Sequence, residues 1–411
     1  RSNDNSKNQV YFGGDFQTLN VFTGLQISAH QTGVHGAIFK APLRFFWLDS
    51  TGETFIAPNA QLILYPQYPE VRFSGFLSGS SRAPSSIMSE RLERRILFLG
   101  ITGENAIFGH VIHNNPFIQE ALADKLTNIP GNVFKEINLE NFGRDTWDQV
   151  SAALLDIHNR GWIRSWRLNA EGIRTDCNAS NCGGYTLEAE LGVRPNGNSE
   201  PDFLGWEVKS YNVSSFESIT TGKITLMTPE PNAGHYVDEG PLSFVEVYGY
   251  RPRPDRLDFN GQHIYAQRHP KTSLTLIADG FDPVENRITN ALGQLALVED
   301  NGTIAAAWSF SGLLQHWNRK HQRAVFVPRR KRSVDPLQYK FGPIVKKGVG
   351  TDFVKYLGAI CGGNVKYDPG IRVKDFNTDA PDLKRRSQFR VLVRDLSQLY
   401  SEFEDTSMVI E

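Results

Sequence analysis

The stretch Pro201-Asp202-Phe203-Leu204-Gly205-Trp206-Glu207-Val208-Lys209-Ser210-Tyr211 organises the reading of the whole chain. From Trp206 to Tyr211 apolar and polar side chains alternate, the pattern of a strand whose successive residues point to opposite faces. Glu207 and Lys209 therefore share a face. Asp202 lies just upstream, behind a Phe-Leu-Gly bend that returns its carboxylate to the start of that face, and Pro201 fixes the backbone ahead of it. Two acids and one amine converge.

Two carboxylates in contact repel and desolvate each other, so such a pair persists mainly where a cation neutralises it. Magnesium suits the donors, because it takes hard oxygen ligands, keeps several waters and is held by one or two carboxylates plus substrate phosphate oxygens. Asp202 and Glu207 are the candidate metal ligands. Lys209 would then meet the attacking water or the charge developing on a phosphate. The spacing PD-x4-E-x-K resembles that of the PD-(D/E)xK nucleases.

The flanks extend the likeness. Gly183-Gly184-Tyr185-Thr186-Leu187-Glu188-Ala189-Glu190-Leu191-Gly192 reads as a short helix closed by Gly192, with Glu188 in its middle. Together with residues 201–210 this block resembles the MvaI/BcnI family of restriction endonucleases. Further on, Lys223 to Pro229 looks like that family's next strand, and Trp308-Ser309-Phe310-Ser311-Gly312-Leu313-Leu314-Gln315 like its Trp-Ser-Phe helix start. Tyr367 to Val373 and Ser387 to Val391 look like its paired closing strands. The ordered set runs from about residue 155 to 402, thinly between 230 and 300.

This resemblance implies a Mg2+-dependent type II restriction endonuclease that cleaves double-stranded DNA at a short G/C-rich site. It would act as a monomer, with a methyltransferase as its candidate companion. Asp202, Glu207 and Lys209 would carry the chemistry, and Glu188 would complete the acid set. In the family, the closing strands and their loop enter the major groove, where an Arg reads guanine through O6 and N7 together. Arg372 and Arg390 are the matching base readers, with Lys384, Arg385 and Arg386 beside them. Lys384 and Arg385 stand where family members carry histidines, a departure that bears on which sequence is read.

The formal net charge is -1, yet from Arg319 to Lys347 only Asp335 opposes Arg319, Lys320, Arg323, Arg329, Arg330, Lys331, Arg332, Lys340, Lys346 and Lys347. Clustered cations suit a phosphate backbone. Arg329 and Arg330 join Arg164 and Arg167, near the start of the nuclease region, as candidate DNA contacts.

The chain of 411 residues is too long for one ordinary domain, and 40% apolar with 22% charged residues is the balance of a soluble globular protein. No apolar run is long enough to span a bilayer, and the polar start Arg1-Ser2-Asn3-Asp4-Asn5-Ser6 is no signal peptide, which places the chain in the cytoplasm. Cys177, Cys182 and Cys361 are sparse and odd in number, so free thiols are expected. His30/His35 and His110/His113 lack acidic or thiol company and read as ordinary imidazoles.

The expected fold is α+β. Residues 1–115 form a β-barrel-like domain: short apolar runs (Leu19–Ile27, Gly36–Phe39, Leu43–Leu48, Gln61–Tyr65, Val71–Leu77, Arg95–Gly100, Ala106–Ile112) are cut by turn residues, with one helix near Ser85–Arg94. Arg72, Arg82, Arg91, Arg94, Arg95 and the rim Tyr65-Pro66-Gln67-Tyr68-Pro69 are its candidate nucleic-acid contacts. The segment Gln26 to Ala37 resembles the start of the plant-type pseudobarrel that serves EcoRII as an effector domain, implying a second DNA-reading module. Residues 116–145 form a connector. Residues 146–411 form the nuclease domain, with a central mixed sheet flanked by helices, opened by an amphipathic helix at Thr146–Arg160. Ser243–Tyr250, His263–Ala266, Leu274–Ala278, Thr303–Ala307 and Ala324–Val327 read as strands. Two other readings use the same residues: a DNA-binding protein on a nuclease fold that does not cleave, and a structure-selective repair nuclease.

Overall fold

A computed structural model describes residues 9–408 except 15, 23, 34–35, 68–69, 90–94, 103–104, 114, 116–117, 119–125, 129–132, 138–145, 180, 195–200 and 318–319. His35, Tyr68, Pro69, Arg91, Arg94, Arg319 and most of the connector lie outside the described residues. The chain is sheet-rich α+β and divides into two compact units, Arg1–Asp145 and Thr146–Glu411. No described helix is long and apolar enough to cross a membrane.

Among its described residues the first unit holds two larger sheets besides a two-stranded ladder of Thr127–Asn128 and Lys135–Glu136. One is antiparallel, in the order Gln9–Gly13, Glu70–Ser74, Gln61–Tyr65, Gly36–Pro42, Ser28–Thr32. In the other, Thr54–Ile56, Arg44–Leu48, Ala106–His113 and Arg95–Ile101 lie side by side, and the middle pair is parallel. Their core is aromatic. Phe73 stacks on Phe12 and Phe76, and the buried Trp47 donates its indole N–H to the Phe76 carbonyl at 2.7 Å. The apolar run beginning at Leu19 is no strand where it starts: Phe16–Val21 is a 3-10 turn. It buries Gln17, Thr18 and Asn20 along with Phe16 and Leu19, so every side of the segment is covered and no alternation can exist. The described part of the expected helix is Ser85–Ser89.

In the second unit, helix Thr146–Asn159 buries Val150, Leu154 and Ile157 at helical spacing against the sheet it covers. That sheet is built on Arg323–Arg332, whose first half is wholly buried (Ala324 to Val327) and whose last residues are exposed. Gln338–Phe341 and Ile344–Val349 pair with it antiparallel, and Glu207–Asn212 pairs with it parallel, Glu207 opposite Ala324 and Lys209 opposite Phe326. Parallel pairing demands a long crossover. The chain between these two strands supplies it, and its strands enter most of the smaller sheets, two of which also take strands from beyond Val349.

One of these joins Lys223–Met227, Phe389–Leu392 and Val365–Tyr367; another joins Tyr250–Arg253, Arg256–Asn260, Gly370–Lys374 and Asp382–Lys384. The expected strand at Ser243–Tyr250 is instead helix Gly240–Tyr248. Gly240 sits at φ 88, Pro241 opens the first turn, and Phe244, Val245 and Tyr248 are buried at helical spacing while Val247 is exposed. A dense apolar run hides its period, and here the proline decides it. His263 and Tyr265 make isolated bridges, to Tyr367 and Leu276, rather than a strand.

Candidate active site

Phe203 and Trp206 exchange both backbone hydrogen bonds (3.0 and 2.9 Å) across a two-residue turn in which Leu204 has φ 48 and Gly205 φ 80. Positive φ at both central positions is the hairpin turn whose twist matches paired strands, and glycine supplies one of them without strain. The turn brings Asp202 back along the strand, where its Oδ2 accepts the Val208 N–H at 3.0 Å. Trp206 anchors the hairpin. It is buried, packs on Trp147 with ring centres 4.9 Å apart, and donates to Thr146 Oγ1 at 3.3 Å.

Glu207 is 1% exposed, and its Oε1 lies 2.7 Å from Lys209 Nζ. Its other oxygen, Oε2, is buried and has no hydrogen-bond partner. Burial pushes the Glu207 carboxyl up to about 7, with the Asp202 charge adding to the shift and Lys209 and Lys320 opposing it. Burial acts to lower the Lys209 ammonium, but Glu207, Asp202 and Glu188 more than offset it, so the amine is held above its ordinary value. Glu188 sits on helix Cys182–Glu190 and is raised by burial and by Asp202. Thr186 fixes that helix by donating back to the Cys182 carbonyl at 2.8 Å, and Gly192, at φ 75, ends it.

Asp202, Glu207, Lys209 and Glu188 thus line one cleft of about 830 Å³. Among the described residues no group of three or more His, Cys, Asp or Glu side chains is placed to hold a metal ion alone. Two carboxylates, one with an orphaned buried oxygen, do fit a hard dication that completes its shell with water and phosphate.

The cation expectations divide. Arg329, Arg386 and Arg390 line the cleft; Arg164, Arg167, Arg330, Arg372, Lys384 and Arg385 do not. Arg390 is held by Asp368 at 3.1 Å, and Arg164 by Asp176 at 2.6 Å. Arg372 lies between Asp258 and Lys384 in its sheet. Of the basic run, Arg329 is buried and donates to the Ser210 carbonyl at 2.6 Å, while Lys346 pairs with Asp405 and Lys347 with Glu404. Those three serve the fold, and among the described residues the exposed cations of the run are Arg330, Lys331 and Arg332.

Arg329 also explains Gly183. A Cβ at that position would lie 2.2 Å from Arg329 Nε and 2.6 Å from its Cδ. Gly183→Ala is expected to displace the guanidinium and to destabilise by about 1–3 kcal/mol, despite alanine's better helix propensity. Denaturant unfolding measures it, and a variant as stable as the parent would refute the close contact.

Two features escaped the sequence reading. Cys177 and Cys182, expected as free thiols, are joined in a disulfide, the loop between them bringing the Cα atoms to 5.7 Å, within bridging range. Lys320, noted only as part of the basic run, places its Nζ 3.6 Å from Glu207 Oε1, with His316 and His321 beside it in the cleft. The apolar spacing of Phe310, Leu313, Leu314 and Trp317 does show the helix that leads there, but nothing local ties Lys320 to a strand more than a hundred residues earlier.

Solved structures similar to the chain include MvaI in complex with cognate DNA, at 15% identity, covering 65% of this chain and 99% of that one with a TM-score of 0.48. MvaI without DNA matches at 15% identity over 64% and 98%, with a TM-score of 0.34. No curated protein sequence matches. The model of the MvaI/BcnI restriction endonuclease family matches residues 152–400, which contain the whole hairpin, the Glu188 helix and the closing strands. The chain belongs to the MvaI/BcnI restriction endonuclease family.

Proposed function

We propose that the chain is a Mg2+-dependent, site-specific endonuclease that hydrolyses phosphodiester bonds of double-stranded DNA at a short G/C-rich site. The observation that carries this reading is Glu207, a buried carboxylate with one oxygen on Lys209 and the other unpartnered beside Asp202. Asp202 and Glu207 would hold the metal, which when bound supplies Lewis-acid stabilisation of the phosphate and lowers the pKa of water. Lys209 orients the attacking water and stabilises negative charge on the reacting phosphate. Glu188 helps set the field in which the acids titrate. Arg386 and Arg390, on the wall of the same cleft, contact DNA, and Arg372, Lys384 and Arg385 are assigned to sequence reading on the neighbouring sheet. Residues 146–411 form the nuclease domain. Residues 1–115 form a second DNA-reading module of pseudobarrel type, with 116–145 as the connector.

The test is incubation of supercoiled plasmid with Mg2+, followed by sequencing of the ends. Discrete cuts at one short motif support the reading; intact plasmid at every metal concentration and methylation state refutes it.

The titration of Glu207 adds a prediction. Its folded value of about 7 exceeds the 4.5 of an ordinary glutamate, so without metal the carboxyl is largely protonated below 7. A metal must displace that proton, and apparent affinity falls by up to about tenfold per pH unit below 7 and levels off above it. The rise in melting temperature on adding Mg2+ is therefore expected to be larger at pH 8 than at pH 6. Equal shifts at both pH values would remove Glu207 from the metal site.

A further inference from the structure

Lys320 stands outside the Asp-Glu-Lys triad, yet it enters the same cleft from a different element. It follows helix Phe310–Trp317, whereas Lys209 projects from the strand Glu207–Asn212. Its neighbours are fixed. Trp317 is 1% exposed, His321 is fully buried, and the two rings stack with centres 4.3 Å apart. That packing fixes His321, the next residue in the chain, against the end of the helix, while the Lys320 side chain keeps 29% of its surface accessible along the cleft.

Its contact with Glu207 is loose. Glu207 Oε1 is already engaged by Lys209 at 2.7 Å, and Lys320 Nζ stands 3.6 Å from the same atom, beyond hydrogen-bonding distance. An ammonium bound for structure alone would be expected to close on the orphaned Oε2, and Lys320 does not: that oxygen has no partner. Lys320 is therefore within range of the carboxylate field but keeps its donors free for a ligand.

Charge balance points the same way. Three carboxylates, Glu188, Asp202 and Glu207, interact with two ammoniums, Lys209 and Lys320, and the cluster fully ionised carries one negative charge. A bound dication turns this into one positive charge, the complement of a single phosphodiester. Without Lys320 these metal-loaded groups would be neutral, leaving ground-state attraction of the duplex to Arg386 and Arg390 on the cleft wall but no positive surplus at the reacting phosphate. The buried His321, next to both ammoniums, is held well below its ordinary range by burial, so it adds no third cation to this balance.

We propose that Lys320 is a second catalytic lysine, whose ammonium contacts a non-bridging oxygen of the scissile phosphate and stabilises the charge that accumulates there in the transition state. This rests on the nuclease reading above. Lys209 serves the water, and Lys320 serves the phosphate.

The test uses the full chain on a short duplex carrying the sequence that the protein is found to cut, under single-turnover conditions with saturating Mg2+. Lys320→Met is expected to lower the cleavage rate by about 10²-fold or more, the scale of losing one preorganised charge contact in an enclosed site. Duplex affinity and melting temperature should stay near the parent's. Lys320→Arg, which keeps the charge, should recover part of the rate, and it replaces the Met variant should that one not fold.

A structural role is separated by placing a single sulfur, in either configuration, at the scissile phosphate. The parent should be slowed by one configuration more than the neutral variant is, because only the parent has the ammonium contact to lose. Identical sulfur penalties in parent and variant, or a Lys320→Met rate within about threefold of the parent, overturn the proposal. Should the parent itself fail to cut any duplex, the nuclease reading falls and takes this one with it; cutting by parent and variant alike overturns Lys320 alone.

Discussion

Lys209→Ala is expected to abolish detectable cleavage, lowering the single-turnover rate by about 10³-fold, within the range seen when a proton-transfer or charge-stabilising group is removed from an enzyme. The size of the loss follows from placement. Lys209 Nζ sits 2.7 Å from a glutamate that is almost wholly buried, and a water filling the space left by the amine would bring no positive charge to it. DNA affinity should change little, because the cations Arg386 and Arg390 on the cleft wall are untouched. Quantifying cleavage and binding on the same duplex decides it, and a variant that cuts at the parent's rate would remove Lys209 from the mechanism. Lys209→Arg should not restore activity: the longer planar fork cannot occupy the room of a compact ammonium at that distance.

The second large effect concerns the scaffold. Trp308, next to last in the strand Ile304–Ser309, is 2% exposed and packs on Tyr367 at 4.7 Å and Phe389 at 5.3 Å between ring centres. Its indole N–H reaches the Pro229 carbonyl at 3.0 Å, the same oxygen that Ser387 binds at 2.5 Å. One ring thus ties the strand before helix Phe310–Trp317, which Lys320 follows, to the paired strands Val365–Tyr367 and Phe389–Leu392, the second of which carries Arg390. Trp308→Ala should cost about 3–5 kcal/mol, from lost burial and a cavity that its two aromatic neighbours cannot close. Trp308→Phe should cost less, retaining most of the area while leaving the Pro229 carbonyl with one donor. Urea unfolding measures both, and an alanine variant within 1 kcal/mol of the parent would show that this cluster is loosely packed.

How far the sequence could be read depends on the range over which each feature is determined. The hairpin was legible because its information is local: a turn of Leu204 and Gly205, a period of two, and three charged residues within eight positions. The helix at Thr146–Asn159 was legible for the same reason, through Val150, Leu154 and Ile157. Gly240–Tyr248 was misread because its apolar residues fit both periods, and the proline that settles it lies at its first turn. The Cys177–Cys182 bond depends on the course of the loop rather than on composition. Among the cations, sequence proximity misled: Arg329, Lys346 and Lys347 belong to a basic run but are used inside the fold, whereas Lys320 in the same run reaches the acids. Charge clustering reports how many cations a segment has, and only tertiary packing decides which of them meet solvent.

The parallel pairing of Glu207–Asn212 with Arg323–Arg332 separates two kinds of change. The residues proposed to choose a DNA sequence, Arg372, Lys384 and Arg385, all follow the second of these two rails, whose register is locked residue against residue. Loops there can lengthen, shorten or exchange side chains without rotating the acids off their face, whereas one residue inserted between Glu207 and Lys209 would put the two on opposite faces. Lys320 is the exception: it comes from the span between the rails, so its reach to Glu207 depends on the length of that crossover, whereas Lys209 is set by the ladder itself.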